Sequence, residues 1–506
     1  MTMLASLACF PTPPARFAAP PWGDEDPRRL ELAQRLDADH LARRIDQAVG
    51  RLDLGPLWQS YAGTGSPPHR PDLLLRAVLF EQRRGQHSPA AWYRDARECE
   101  PLRWLLRGCC PSRSCWYAFR DRLAPLLDEL NRQPLRRAID QGLTPATRGS
   151  LDGTLVAANA SRHKLLNEAA LSKRTAELTA AAADGRAAAA AWMAKTPAGR
   201  QRQRRRLQQA GDRMSALQAR NRGKRSSKRK AAERVVLSLS DPEAAVGRDK
   251  EKVFRPLYNV QVLDDLDSRF VLAYEAFAQQ NDAGLLPAML PRARGLLGHP
   301  LEALLADTSY AGGSDLAAAA EEGVRLYAPL PGDGKKGEKQ IPKSQFRWLD
   351  EERTYVCPEG HRLVYQGSSM QKRSGTEVVV LSSYRCPPAH CTGCPSRGKC
   401  TPNPEAGRSI SRGEHEDLIE ALRARMATAE AKALYRLRSQ TVELVNADWK
   451  QHRKLRRFSG RGVKRVRCQV GLTVLAHNLI TLLAGEKNAT ENDARAAAVN
   501  PAAVVT

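Results

Sequence analysis

Three carboxylates occupy positions where a charge calls for a partner. Asp152 interrupts the apolar, β-branched run Ser150-Leu151-Asp152-Gly153-Thr154-Leu155-Val156. That run reads as a buried strand, and a carboxylate inside one is costly without a counter-charge or a metal. Asp307 closes a second apolar run at 301–307, and Glu443 lies on a late helical stretch. Taken singly, each is more simply a turn residue or a solvated charge. Brought together at one sheet edge, they form a set of hard oxygen donors of the kind that holds Mg2+ or Mn2+ and leaves positions for water and phosphate. Two such ions about 4 Å apart stabilise both the attacking and the leaving oxygen of an in-line phosphodiester displacement. Without a cation, carboxylates so close would repel one another. Lys450 stands seven residues beyond Glu443, two turns along the same helix face, within reach of a phosphate backbone. Arg438, five residues before Glu443, is less well placed on that face. Tyr435 opens this helical stretch, and Arg453, Lys454, Arg456 and Arg457 crowd its end.

A second constellation is built of sulfur. Cys357-Pro358-Glu359-Gly360-His361 precedes Cys386-x4-Cys391-x2-Cys394-x5-Cys400. The Cys391-x2-Cys394 pair has the spacing of a zinc knuckle, and Cys386 and Cys400 complete four ligands, with Cys357 the alternative to Cys386. Such a site would be closed and structural. The other reading is a cysteine-bearing loop without metal. Cys109, Cys110 and Cys115 lack a metal-ligand spacing and read as small buried residues.

The totals suit these assignments. A chain of 506 residues with 42% hydrophobic content forms two to four domains, and a net charge of +25 seeks polyanions, nucleic acid first among them. The apolar stretch 470–483 is broken by His477 and Asn478 and is too short to cross a bilayer. With no convincing signal peptide at residues 1–21, the chain is expected in the cytoplasm, its cysteines reduced and no membrane among its partners.

The elements that must position these residues follow in order. Residues 1–28 read as a flexible N-terminus. Residues 29–145 read as helices, with Pro71 and Ser88-Pro89 marking two helix starts, and they suit a DNA-binding module. Residues 146–329 alternate strands and helices: the Asp152 strand, a hairpin at 258–275, a helix from Asn281-Asp282 to about 297, the Asp307 strand, a helix and a strand. This predicts an α/β sheet layered with helices. Residues 163–235 interrupt it as a basic insertion, helical over the alanine-rich 180–194 and disordered over 199–234, suited to phosphate contact. The cysteine-rich insertion spans 330–412. Residues 413–485 return to helices, at 414–432, 435–456 and 463–483, and 486–506 read as a frayed, disordered tail.

Ser-Leu-Asp-Gly-Thr at 150–154, Tyr-Asn-Val-Gln at 258–261, Ala306-Asp307-x2-Tyr310 and Tyr435-x2-Arg438-x4-Glu443-x6-Lys450 resemble, in this order, the DDE transposases of bacterial insertion sequences. The likeness runs from Pro71 to about Leu483. The resemblance implies an RNase H-like catalytic core, with Asp152, Asp307 and Glu443 as catalytic metal ligands for two Mg2+ or Mn2+ ions. Double-stranded DNA would be contacted by Lys450, Arg438, Tyr435, Arg453, Arg456 and Arg457. It also implies cleavage at element ends, joining of the freed 3′-hydroxyl to target DNA, a homodimer or larger assembly, and a cytoplasmic, nucleoid-associated location. Asn446 and Ala447 depart from the family's pattern beside Glu443. The alternatives are a catalytically inactive, DNA-binding remnant and a metal-dependent nuclease on the same fold.

Overall fold

The computed structural model describes residues 17–61, 66–183, 190–330, 340–372 and 378–499, and the Glu443 side chain lies outside that description. Among the described residues, the N-terminal part is all helix: α1 (Pro27–Gln34), α2 (Leu41–Gly50), α3 (Gly55–Gln59), α4 (Pro71–Arg83), α5 (Pro89–Glu98), α6 (Glu100–Leu105), α7 (Arg113–Leu123) and α8 (Leu127–Asp140). Pro71 takes the first position of α4, and Ser88 caps α5 by accepting from Ala91 N at 3.1 Å. The flexible start expected at 1–28 is corrected from residue 17 onward, since Trp22 is buried and its N–H donates to Arg107 O at 3.0 Å. Of the three cysteines expected to be buried nearby, Cys109 is buried and Cys110 is exposed.

A six-stranded sheet follows, from β1 (Arg148–Ala157), β4 (Ala245–Arg248), β5 (Phe254–Asp265), β6 (Val271–Phe277), β7 (Ala303–Leu305) and β8 (Arg325–Tyr327). Its order is β6-β5-β1-β7-β8, with β4 pairing the start of β5. β1 runs antiparallel to β5 and parallel to β7, and β7 runs parallel to β8. The central strands carry near-continuous apolar runs because helices cover them. The crossovers are α11 (Leu286–Leu297) and α12 (Gly313–Glu321). The helix expected from Asn281-Asp282 starts instead at Leu286. The fully buried Asp315 of α12 accepts from Gly284 N at 2.8 Å and Leu286 N at 3.0 Å, so a distant carboxylate sets the start of α11.

The basic insertion is ordered where disorder was expected. Short strands β2 (Leu165–Leu166) and β3 (Leu237–Ser238) close it, and α9 (Glu168–Ala183) packs on α10 (Pro197–Arg222). Leu207, Ala210 and Met214 recur at helical spacing on α10 and bury against Leu171 and Leu178, while the arginines face outward. The helix expected over 180–194 ends at Ala183; residues 184–189 lie outside the described residues, and the turn after them buries Met193 in the same small core.

Residues 340–413 form a second sheet, ordered β13-β12-β11-β10-β9, from β9 (Arg347–Leu349), β10 (Thr354–Val356), β11 (Arg362–Lys372), β12 (Val378–Arg385) and β13 (Ser409–Gly413). The short helices α13 (Pro388–Thr392) and α14 (Arg397–Cys400) sit between β12 and β13.

The single helix expected at 414–432 is two, α15 (Glu416–Ala427) and α16 (Ala429–Arg436). Thr428 adopts extended backbone between them and caps α16. Next come α17 (Arg438–Gln451) and α18 (Val463–Val499). α18 joins the two large cores. Val466, Val470 and Val474 face the sheet core, and Cys468, Leu472, Leu475 and Leu479 face the N-terminal helices. Each fully buried aliphatic chain contributes about 1.5–3 kcal/mol. Asn478, which breaks the apolar run in the sequence, clasps the edge strand β6. Its Oδ1 accepts from Val271 N at 2.9 Å and its Nδ2 donates to Val271 O at 2.8 Å. By length and hydropathy this helix would suit a membrane, but 78% of its apolar window is buried inside the protein. The frayed tail expected from 486 is corrected to helix up to Val499, pinned where Glu486 pairs with Arg51 and with Arg137 at 2.9 Å. Residues 500–506 lie outside the described residues.

Candidate active site

Strand register brings two of the three carboxylates together. Ser150 on β1 pairs with Leu305, the last residue of β7, and Asp152 and Asp307 each lie two residues further along the chain. The two lie in each other's field. Burial raises the Asp152 pKa most, Asp307 and Asp282 add to it, and Arg438 and Lys250 oppose it. Asp307 caps the turn that follows β7, accepting from Ser309 N at 2.7 Å.

α17 crosses β1 and β5 and supplies the partners of Asp152. Arg438 Nη2 donates to Asp152 Oδ1 at 2.9 Å, and Asn446 Nδ2 donates to Asp152 Oδ2 at 3.0 Å. At the start of α17, Arg438 thus reaches the Asp152 carboxylate directly. Both side chains of this ion pair are largely buried, at 15% and 19% exposure. Glu443 sits on the same helix between Arg438 and Asn446, its side chain outside the described residues. Among the described residues, no three His, Cys, Asp or Glu side chains are gathered closely enough to hold a metal ion. Asp152 and Asp307 nevertheless have the donor chemistry for a hard cation: two carboxylates, one on β1 and one in the turn after the adjoining β7, the first with a raised pKa.

The basic residues divide into two kinds. Lys450 is half-buried, and burial, reinforced by Lys250, lowers its pKa while Asp152 raises it. Arg456 and Arg457 are exposed, and their segment pairs with the end of β1 through Ala157 N to Arg456 O at 3.2 Å and Phe458 N to Ala157 O at 2.9 Å. Both thus border the site with their charges in solvent. Arg453 turns inward, donating to Asp448 at 3.0 Å and to Arg83 O at 2.7 Å. Tyr435 donates to Ala306 O at 3.2 Å, tying α16 to the strand end beside Asp307.

Sequence reasoning missed a polar network next to Asp152. Asp282 Oδ1 accepts from Asn259 Nδ2 at 2.7 Å and from Gln261 Nε2 at 2.8 Å. Tyr310, three residues after Asp307, donates to Gln261 Oε1. The Asp282 carboxylate lies over Gly153, where a Cβ would stand only 2.0 Å from its Oδ1. The network thus connects the residue beside Asp152 with the turn that carries Asp307. Its signal was available: Asn259 and Gln261 alternate within the otherwise apolar stretch 257–263, so both face the same side. Asp264 lies inside β5. It is buried, neither carboxylate oxygen has a hydrogen-bond partner, and burial pushes its pKa well above the carboxylate range, with Asp152 adding to the rise.

The cysteines also converge. Cys357, Cys386, Cys391, Cys394 and Cys400 line one small cavity together with His361, His390 and Arg408. As they stand the thiols surround this cavity without being closed onto one ligating point.

Residues 356–483, a quarter of the chain, match the family described as Transposase DDE domain. The match begins in the cysteine lobe and covers α15, α16, α17 and the first part of α18, with Arg438, Glu443, Asn446 and Lys450; Asp152 and Asp307 lie before it. No curated protein matches the chain.

Proposed function

On that match the chain carries a DDE transposase domain, and from this premise we propose that it cleaves the ends of a mobile DNA element and joins them to target DNA. The observation that carries the reading is that Asp307, just past the end of β7, lies close enough to Asp152 on the adjoining parallel β1 for its charge to act there, with α17 laid across β1 and β5. The sheet order supports an RNase H-like core: three antiparallel strands, β6-β5-β1, continue into the parallel β7 and β8. Two Mg2+ or Mn2+ ions held by Asp152, Asp307 and Glu443 would supply Lewis-acid stabilisation of the attacking and leaving oxygens. The chain's own residues bind and position the DNA. Arg456 and Arg457 offer exposed guanidinium groups to phosphates beside β1, and Lys450 adds a cation close to Asp152. Arg438 and Asn446 hold the Asp152 carboxylate in one orientation. The net charge of +25 favours a polyanion throughout.

A second reading, a DNA-binding remnant without chemistry, has one observation in its favour. Both oxygens of Asp152 are already engaged, one of them by an arginine. Arg438 must give way before that carboxylate can serve a cation. The test is strand cleavage and joining on labelled DNA taken from the flanks of the coding sequence, with Mg2+ or Mn2+. Wild type is compared with Asp152→Ala, Asp307→Ala and Glu443→Ala. Joining that each substitution abolishes is the expected result. Cleavage without joining points to a nuclease, and tight DNA binding without chemistry leaves the remnant.

A further inference from the structure

We propose that the cysteine lobe binds one zinc ion through four of its five thiols. This inference is independent of the transposase reading.

The lobe lacks the apolar interior its size requires. Its core consists of Phe346, Tyr355, Leu363, Tyr384 and Ile410 together with Cys386, Cys391 and Cys400, and so small a core generally depends on a metal or a cross-link. The polypeptide brings its thiols to one place. Cys386 N donates to Arg408 O at 2.9 Å, closing the loop that carries Cys386, Cys391, Cys394 and Cys400. Gly407 permits this closure, since it has φ +75° and a Cβ there would stand 2.1 Å from Cys386 O. Cys357 enters from β10 on a tight turn of its own: Cys357 N donates to His361 O and Gly360 N to Cys357 O, both at 2.9 Å. His361 N then donates to Cys357 Sγ at 3.3 Å. A backbone N–H aimed at sulfur stabilises a thiolate.

The thiols feel one another strongly. Burial pushes the Cys386 thiol up to about 12, and Cys391, Cys357 and Cys400 add to it. Burial also raises Cys400, opposed by Arg408, with Cys391, Cys394 and Cys357 adding to the rise. All five thiols line the same cavity. The cavity among them, about 20 Å³, has room for a single ion-sized occupant. Each sulfur swings on one side-chain torsion, so the lobe can gather four of them without moving its strands. Four thiolates select a soft, tetrahedral divalent cation, of which zinc is the usual one in a reduced compartment. On binding, each ligand gives up its thiol proton to solvent, and the site carries a net charge of −2 beside Arg408. With every position filled by sulfur, the role is structural.

The test is the metal content of the full-length chain, purified without chelator. The expected result is about one zinc per chain, lost in the Cys357→Ser/Cys391→Ser double variant, which leaves only three lobe thiols, and kept in Cys110→Ser, whose thiol is exposed outside the lobe. Because a ligand variant can misfold, the wild type is also examined alone. Native thiol titration should find the lobe cysteines protected until the zinc is displaced, and Co2+ exchange should give the absorption of a tetrahedral thiolate complex. Wild-type chain that takes up no zinc and titrates all five lobe thiols freely overturns the proposal. Zinc retained by the Cys357→Ser/Cys391→Ser double variant also overturns it.

Discussion

Replacing Gly153 with alanine probes the packing beside Asp152 at its tightest point. A Cβ at this position would stand 2.0 Å from Asp282 Oδ1 and 2.4 Å from Gln261 Nε2, whereas ordinary contact begins at 3.4 Å. Asp282 must retreat by about 1.4 Å, or β1 and β5 must part. Its hydrogen bonds from Asn259 and Gln261, at 2.7 and 2.8 Å, cannot survive that displacement. Hydrogen bonds to a charged acceptor contribute about 1.5–3 kcal/mol each when buried, and Asp282 is partly exposed, so the expected loss is about 2–4 kcal/mol. Intrinsic preference works the other way, since alanine is favoured over glycine in a strand by roughly 0.5–1 kcal/mol. Urea unfolding followed by circular dichroism measures the effect. In an Asp282→Ala background the closer clash is gone and the Gln261 side chain is freed from Asp282, so the same substitution should cost less, giving a coupling energy above about 1 kcal/mol in a double-mutant cycle. A Gly153→Ala protein within about 0.5 kcal/mol of wild type, or strictly additive variants, would refute the geometry.

Three further outcomes follow from buried or paired carboxylates. The fold accepts Asp264 in its neutral form, its pKa held up by burial and by Asp152. Its contribution is therefore fully present below the ordinary carboxylate pKa and is lost as pH rises toward the raised folded value. Between about pH 5 and pH 8 the wild-type Tm should fall more steeply than that of Asp264→Asn, and parallel profiles would contradict this. Asp315→Ala removes the acceptor for the first amides of α11 and should cost about 2–4 kcal/mol in urea unfolding, with Asp315→Asn costing about half as much; equal losses would mean that the acceptor is not the cause. Arg438→Ala frees one oxygen of Asp152 and should tighten Mn2+ binding by roughly fivefold, the equivalent of about 1 kcal/mol. Unchanged or weaker binding, read by Mn2+ electron paramagnetic resonance titration, would show that the ion pair does not compete with a cation.

Local chemistry made much of the fold legible. Pro71 and Ser88 mark helix starts because their effects act within one turn, and the β1, β5 and β7 runs stand out because strands buried under helices are largely apolar. What escaped depends on distant partners. Asp315 fixes the start of α11 from another helix, Asn478 clasps β6 from α18, and Glu486 holds the last helix through arginines far earlier in the chain. The basic arm looked disordered because its charges outnumber the few apolar positions on α10 that bury it. At the site, Asp152 and Asp307 stood out as charges in apolar runs. The placement of Arg438 and Asn446 on Asp152 depends on how α17 crosses the sheet, which helical spacing alone does not fix.

The most direct test of the central claim is a count of bound Mn2+ by electron paramagnetic resonance on the full chain with its flanking DNA, comparing wild type with Asp152→Asn and Asp307→Asn. Asparagine keeps the size of the side chain and removes the charge, so folding and DNA binding should persist. The account predicts two tightly bound ions in the wild type and a loss in each variant. Equal Mn2+ binding by all three proteins would mean that these aspartates do not hold the metal.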